Sequence, residues 1–308
     1  MIDTETAKTY EYKLKDSRLI ELYKNDSISI YDNDLKFKTY NNIDIKRVKD
    51  GKNEEDKDTL EYRIKECKMN NYKSLDLSHL GLKEIPQLPK QITNNLKYLF
   101  LNENDIEHIE DLSHFNDLLV LDLCNNKLTS LPQLPERLEE LLIKNNSVGS
   151  IKLLSNNDYL KRLDCSNNLI KEIPVIDSLE VLRCDNNEIT EIPKLVNIIK
   201  LSCSNNQIKL LNDMPNIEIL DCDRNLVEII ENYKNLKELY CSKNNIEYVK
   251  NLNKIEILHC YKTNIRKLGY FQTLKELLCD SQNLMLSKFY TIVDSDIYKN
   301  SIVQINFK

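Results

Sequence analysis

The sequence predicts an α/β-type solenoid: a parallel-sheet arc with an extended or 3-10 convex side and an N-terminal capping helix. Three periodicities predict it. The pattern L-x-x-L-x-L-x-x-N-x-L recurs eleven times between residues 72 and 284, as in "LKYLFLNENDI" (96–106), "LKRLDCSNNLI" (160–170) and "LEVLRCDNNEI" (179–189). One asparagine per unit forms a column at Asn104, Asn126, Asn146, Asn168, Asn187, Asn206, Asn225 and Asn244. A cysteine stands at 165, 184, 203, 222, 241, 260 and 279, each 19 residues after the last.

In each unit the x-L-x-L-x stretch reads as a short strand of alternating faces. Its leucine-type residues point into a core that only stacked neighbours can close. The intervening residues are expected at solvent on the concave side. Parallel strands about 4.8 Å apart give an arc roughly 50 Å long. The asparagine amides sit where the chain leaves the strand, and are expected to pair backbone groups that the turn strands inside. Pro86, Pro132, Pro174 and Pro193 close several units, remove donors and favour an extended return.

The cysteine column admits metal, disulfide, catalytic and packing readings. Spacing along the asparagine column runs 24, 22, 20 and 22 residues, then 19 to the end. The cysteine position holds Leu77, Leu101, Leu123 and Ile143 in the first four units and turns to cysteine where the period shortens. A shorter unit encloses a thinner core, and cysteine serves there as a small hydrophobe. A straight column cannot converge four ligands tetrahedrally, and parallel side chains are poorly aimed for a disulfide. The thiols are therefore expected to be core, with no metal and no cofactor. Off the column, Cys124 is expected on the concave side as the accessible thiol.

Four segments follow. Residues 1–57 lack the repeat; alternation within 27–48 suggests a small β-meander, and 49–58 is a charged linker. In residues 58–71, Leu60, Ile64 and Cys67 share one helical face, and Asp58 with Glu61 suggests a capping box, so a helix is expected over the open end of the first repeat. Residues 72–285 hold the repeats, and 286–308 are apolar enough to cap the other end.

At eleven copies the pattern resembles the leucine-rich-repeat superfamily, with short 19–24-residue units. The short repeats and the "LPQLPERLEELLIKNN" segment (131–146) are similar to those of secreted bacterial effectors and of giant-virus repeat proteins. Some such effectors carry a ubiquitin-ligase domain after the repeats, and the 24 residues beyond 284 are too few for one. The resemblance implies a non-enzymatic scaffold that binds a partner protein on its concave face, a host protein if the product is viral. The alternatives are an enzyme or enzyme-recruiting adaptor, serving a ligase or phosphatase, and a structural particle component.

Composition bounds these readings. Of 308 residues 30% are charged, with a net charge of −6, which disfavours a broad nucleic-acid surface. No apolar run is long enough to span a membrane, and no export signal opens the chain. The nine cysteines then belong to a reducing cytoplasm. No phosphate loop, zinc-protease or nucleophile-elbow motif occurs, and His79, His108, His114 and His259 are scattered. The candidate partner-binding residues are the outward strand positions that core demands do not explain. Tyr98 and Phe100 make one spot; Ile219, Tyr240, Ile257, His259, Tyr261 and Leu278 make a larger one, flanked by Arg224, Lys243 and Lys262.

Overall fold

The computed structural model describes residues 59–265, 268 and 271–280 in full. Outside these it describes the backbone of five strands, at Glu11–Lys13, Leu19–Glu21, Ile28–Tyr31, Phe37–Tyr40 and Ile302–Asn306. The chain divides into two units, Met1–Lys57 and Asp58–Lys308. In the first, Glu11–Lys13 pairs antiparallel with Leu19–Glu21, and Ile28–Tyr31 with Phe37–Tyr40. These are two separate two-stranded sheets, and the second pairs the first two runs of 27–48. The third run of 27–48, the charged linker 49–58 and the cap segment 286–301 lie outside the described residues.

The second unit is built on one 12-stranded sheet. Its strands are β1 (Ser74–Asp76), β2 (Tyr98–Phe100), β3 (Val120–Asp122), β4 (Glu140–Leu142), β5 (Arg162–Asp164) and β6 (Val181–Arg183). They continue as β7 (Lys200–Ser202), β8 (Ile219–Asp221), β9 (Glu238–Tyr240), β10 (Ile257–His259), β11 (Glu276–Asp280) and β12 (Ile302–Asn306). Strands β1 to β11 stack in parallel, in chain order and in register, one per repeat. β12 turns back antiparallel on β11, pairing Leu278 with Gln304, and so occupies what would be an open edge. At the other end helix α1 (Leu60–Met69) covers β1. Cys67 is buried, Leu60 and Ile64 pack on the core, and Arg63 reaches Asp76 at 3.1 Å. Its N-cap is Thr59, not Asp58: the Thr59 hydroxyl accepts the Tyr62 N–H at 3.3 Å. The first helical residue is Leu60, which places Asp58 one position too early to cap.

The asparagine column joins successive repeats. Asn104 donates Nδ2 to the carbonyls of Leu77 and Leu101, both at 2.9 Å, and its Oδ1 accepts from Leu80 and Leu82 of the preceding unit. Donation to a carbonyl of the preceding unit and one of its own recurs from Asn126 to Asn244. Among the described residues Thr263 bonds only the Cys260 carbonyl, at 2.8 Å. The residue before each column position has positive φ, from His79 through Asn125, Asn145, Asn167, Asn186 and Asn205 to Arg224, Lys243 and Lys262. Asparagine tolerates that left-handed turn better than other non-glycine residues. These exposed amides also bond across repeats, Asn145 to Asn125, Asn167 to Asn145 and Asn205 to Asn186.

Unit length decides the convex side. A single helical turn, Lys90–Thr93, fits in the 24-residue unit, and a 3-10 segment, Lys152–Asn156, in a 22-residue one. The 19-residue units have room only for extended chain, with short parallel pairs Glu191–Ile192 on Leu210–Leu211 and Ile229–Glu231 on Tyr248–Lys250. Between sheet and convex wall lies one continuous core in which the seven column cysteines are each 0% exposed. Burial pushes the thiols of Cys165 through Cys260 well above their usual range. Cys203→Ala should cost about 1 kcal/mol, and Cys203→Leu about 1–3 by overpacking a core this thin. Urea midpoints would measure both; a leucine variant more stable than the parent would contradict the packing account.

Candidate partner-binding face

Outward side chains of the sheet fall into three rows, at the first and third positions of each strand and two residues beyond the third. In the middle of the arc the first two rows are largely closed to solvent, whereas third-row residues such as Lys144 and Asp185 stay partly exposed. Asp122, Glu140, Asp164 and Lys200 are all buried, each flanked by same-row neighbours on adjoining strands about 4.8 Å away. Burial pushes the Asp122 carboxyl up to about 6 and that of Glu140 to about 7. Guanidinium groups one strand along face two of these carboxylates, Arg162 to Glu140 at 3.9 Å and Arg183 to Asp164 at 3.8 Å. Aspartate recurs in the second row for a local reason as well. Asp76, Asp122, Asp164 and Asp221 each accept the backbone N–H two residues on, fixing the strand exit.

Two candidate residues are therefore corrected. Phe100, expected at solvent, is 7% exposed between Asp76 and Asp122, and Ile219 is 9% exposed between Lys200 and Glu238. Cys124 is half-buried, and its thiol is pushed well up by burial and by the Asp122 carboxylate, which disfavours the thiolate. Tyr98 is half-buried on β2, six strand spacings or about 29 Å from β8, so the two aromatic spots are not one site.

The larger spot is a grid of three rows over β8–β11. The first row runs Ile219, Glu238, Ile257, Glu276, and the second Asp221, Tyr240, His259, Leu278. The third continues through Asp223, Ser242, Tyr261 and Asp280, where the Ser242 N–H donates to Asp223 and the Lys243 N–H to the Tyr261 carbonyl. Tyr240, Ile257, His259, Tyr261 and Leu278 are each partly exposed. The Tyr240 and His259 rings meet edge to face, centroids 4.9 Å apart at 90°. His259 Nε2 lies 3.1 Å from Glu276 Oε1, and the Tyr240 hydroxyl donates to Glu238 at 3.0 Å. Burial and the Glu238 carboxylate push the Tyr240 hydroxyl up, so it stays protonated and donating. The flanking cations Arg224, Lys243 and Lys262 stand on the positive-φ turn that rims the grid, with Lys243 Nζ 5.9 Å from the Tyr261 ring centroid.

The candidate list omitted the grid's carboxylates and Ser242, although the same alternation assigns them outward positions. Charged residues at outward positions read as ordinary solvation, and only the structure shows that Asp221 is half-buried with its carboxyl pushed by desolvation up to about 6. Among the described residues no group of three or more His, Cys, Asp or Glu is placed to hold a metal ion.

No family model matches the chain. Osteomodulin from Rattus norvegicus is 34% identical over 116 residues, 33% of this chain and 26% of that protein. Oligodendrocyte-myelin glycoprotein from Mus musculus is 34% identical over 110 residues, 32% of this chain and 24% of that protein. The chain spans about a quarter of the length of each of these two curated relatives. Among solved structures, YopM from Yersinia enterocolitica superposes with a TM-score of 0.54 at 23% identity, covering 76% of this chain and 58% of that one. The leucine-rich repeat domain of APL1B gives a TM-score of 0.58 at 18% identity, covering 70% of this chain and 74% of that one.

Proposed function

From the leucine-rich-repeat fold that this chain has, we propose that it is a non-enzymatic protein-interaction scaffold whose concave face holds a partner protein over β8–β11. The observation that carries this reading is the grid itself. Partly exposed rings and aliphatic side chains cluster on adjoining strands, ringed by carboxylates and by the cations of the turn, as in the anchor-and-rim pattern of interface hot spots. None of these side chains is needed by the core behind the sheet. The short spot at Tyr98 is a smaller, separate contact. All nine cysteines are free thiols, which fits a reducing compartment, host cytoplasm if the product is viral.

Replacing Tyr240 and Tyr261 together by alanine should leave the melting transition in place and weaken partner binding by at least about 2 kcal/mol. The test compares proteins retained by the parent, by Tyr240→Ala/Tyr261→Ala, and by the convex variant Ile229→Ala, quantified by mass spectrometry of cell extracts. Retention lost with the concave pair and kept with Ile229→Ala supports the reading. A partner retained equally by all three would refute it.

A further inference from the structure

The sheet contains its own precedent for how an outward carboxylate is matched. On β4–β6 a guanidinium sits one strand along in the same row: Arg162 beside Glu140, and Arg183 beside Asp164. Along the strand entries lysine does the same, Lys237 to Glu218 at 2.8 Å and Lys275 to Glu256 at 2.7 Å. On β8 and β9 the equivalent positions hold no cation. Tyr240 stands beside Asp221 where Arg183 stands beside Asp164, and Ile257 stands beside Glu238 where Arg162 stands beside Glu140. Among the described residues Asp221, Asp223 and Glu238 form no ion pair.

We infer that the partner supplies the missing cation: β8–β10 bind a basic segment through an arginine whose guanidinium lies against Tyr240 and His259, among the carboxylates of Asp221, Asp223 and Glu238. This rests on the reading of the concave face as the binding surface and names the chemistry of what it binds. Ser242 is an independent sign. Its side chain is fully buried beside Asp223, and its hydroxyl has no hydrogen-bond partner among the described residues. A buried hydroxyl in that state is unusual in a finished site, and a ligand group at the grid would complete it. Desolvation holds the Asp221 and Asp223 carboxyls up, and a guanidinium would bring them down. Arginine fits better than lysine. Its planar fork meets carboxylates on neighbouring strands, and its flat face stacks on an aromatic ring, whereas an ammonium is a point charge. Arg224 and Lys243 stand on the rim turn, outside the rows; with His259 they draw the Asp223 carboxyl down, but desolvation outweighs them and the carboxyl stays above its usual range.

The test uses the full chain and a fluorescein-labelled 12-residue peptide of alternating arginine and serine, read by anisotropy at low salt. Matched peptides carry lysine or the neutral isostere citrulline in place of arginine. The arginine peptide should bind, the lysine peptide about fivefold more weakly, and the citrulline peptide not measurably. Affinity should rise between pH 5 and pH 7 as the carboxyls ionise. Asp221→Asn with Glu238→Gln should weaken arginine-peptide binding about tenfold or more, with Glu191→Gln on the convex side as the unchanged control. No binding of the arginine peptide, or equal binding by the Asp221→Asn/Glu238→Gln variant, overturns the inference. A partner that needs Tyr240 and Tyr261 yet is not displaced by the arginine peptide overturns the arginine assignment alone. A partner indifferent to those tyrosines overturns the binding face itself.

Discussion

Asn225→Ala should lower the unfolding free energy by about 3–4 kcal/mol, among the largest effects of any single substitution in the solenoid. The Asn225 side chain is 5% exposed and donates to the carbonyls of Cys203 at 2.9 Å, Cys222 at 3.1 Å and Asp223 at 3.2 Å, while accepting the Ile208 N–H at 2.9 Å. Alanine leaves that N–H and those carbonyls buried without the amide, each such group costing about 1–3 kcal/mol where water cannot enter. Two of the broken bonds link adjacent repeats, so cooperativity along the array suffers as well. Asn225→Asp should be at least as damaging at neutral pH, because a carboxylate cannot donate and faces carbonyl oxygens; part of the loss should return on acidification. Asn205→Ala is the contrast. Asn205 is exposed, bonded through Nδ2 only to Asn186 at 2.7 Å, and should cost only about 1 kcal/mol, mostly from its left-handed backbone. Urea unfolding of the three variants measures the difference; an Asn225→Ala loss no larger than that of Asn205→Ala would remove the ladder from the account of stability.

Stability should also rise on mild acidification, against the common trend. The carboxyls of Asp122, Glu140 and Asp221 are held by desolvation at about 6, 7 and 6 in the folded protein, against ordinary values of 3.8, 4.5 and 3.8. Between the two sets of values the folded chain binds more protons than the unfolded chain, so stability falls as pH climbs through that window and is greatest at its lower end. The sum between pH 8 and pH 5 is roughly 2–5 kcal/mol. Asp105 and Asp111 are shifted the other way, by Lys127 and by Ser113, but both are at the surface and offset little. The melting temperature should therefore be higher at pH 5.5 than at pH 8, and Glu140→Gln should raise the pH 8 value and flatten the profile. A melting temperature that declines steadily from pH 8 to pH 5.5 would contradict the buried-carboxylate description of the concave face.

The sequence by itself determined the solenoid. A period of 19–24 residues with leucine alternating across each strand leaves one way to bury the apolar side, by stacking parallel strands. It determined which residues face inward, the structural role of the asparagine column, and the packing role of a cysteine that appears where the repeat shortens. These follow from covalent spacing within a unit, which a single chain displays directly. Tertiary structure alone decided how crowded each outward position is. Phe100 and Ile219 carry the same alternation signal as Tyr240 and His259, yet the first pair is closed off and the second is partly exposed. The difference lies in the neighbours across the sheet, which come from units 19 or more residues away and are set by register. Register likewise decided that Asp164 meets Arg183 whereas Asp221 meets Tyr240, and so where the concave face lacks a cation. An isolated strand cannot report this, because the cost of a carboxylate depends on what lies about 4.8 Å to either side of it.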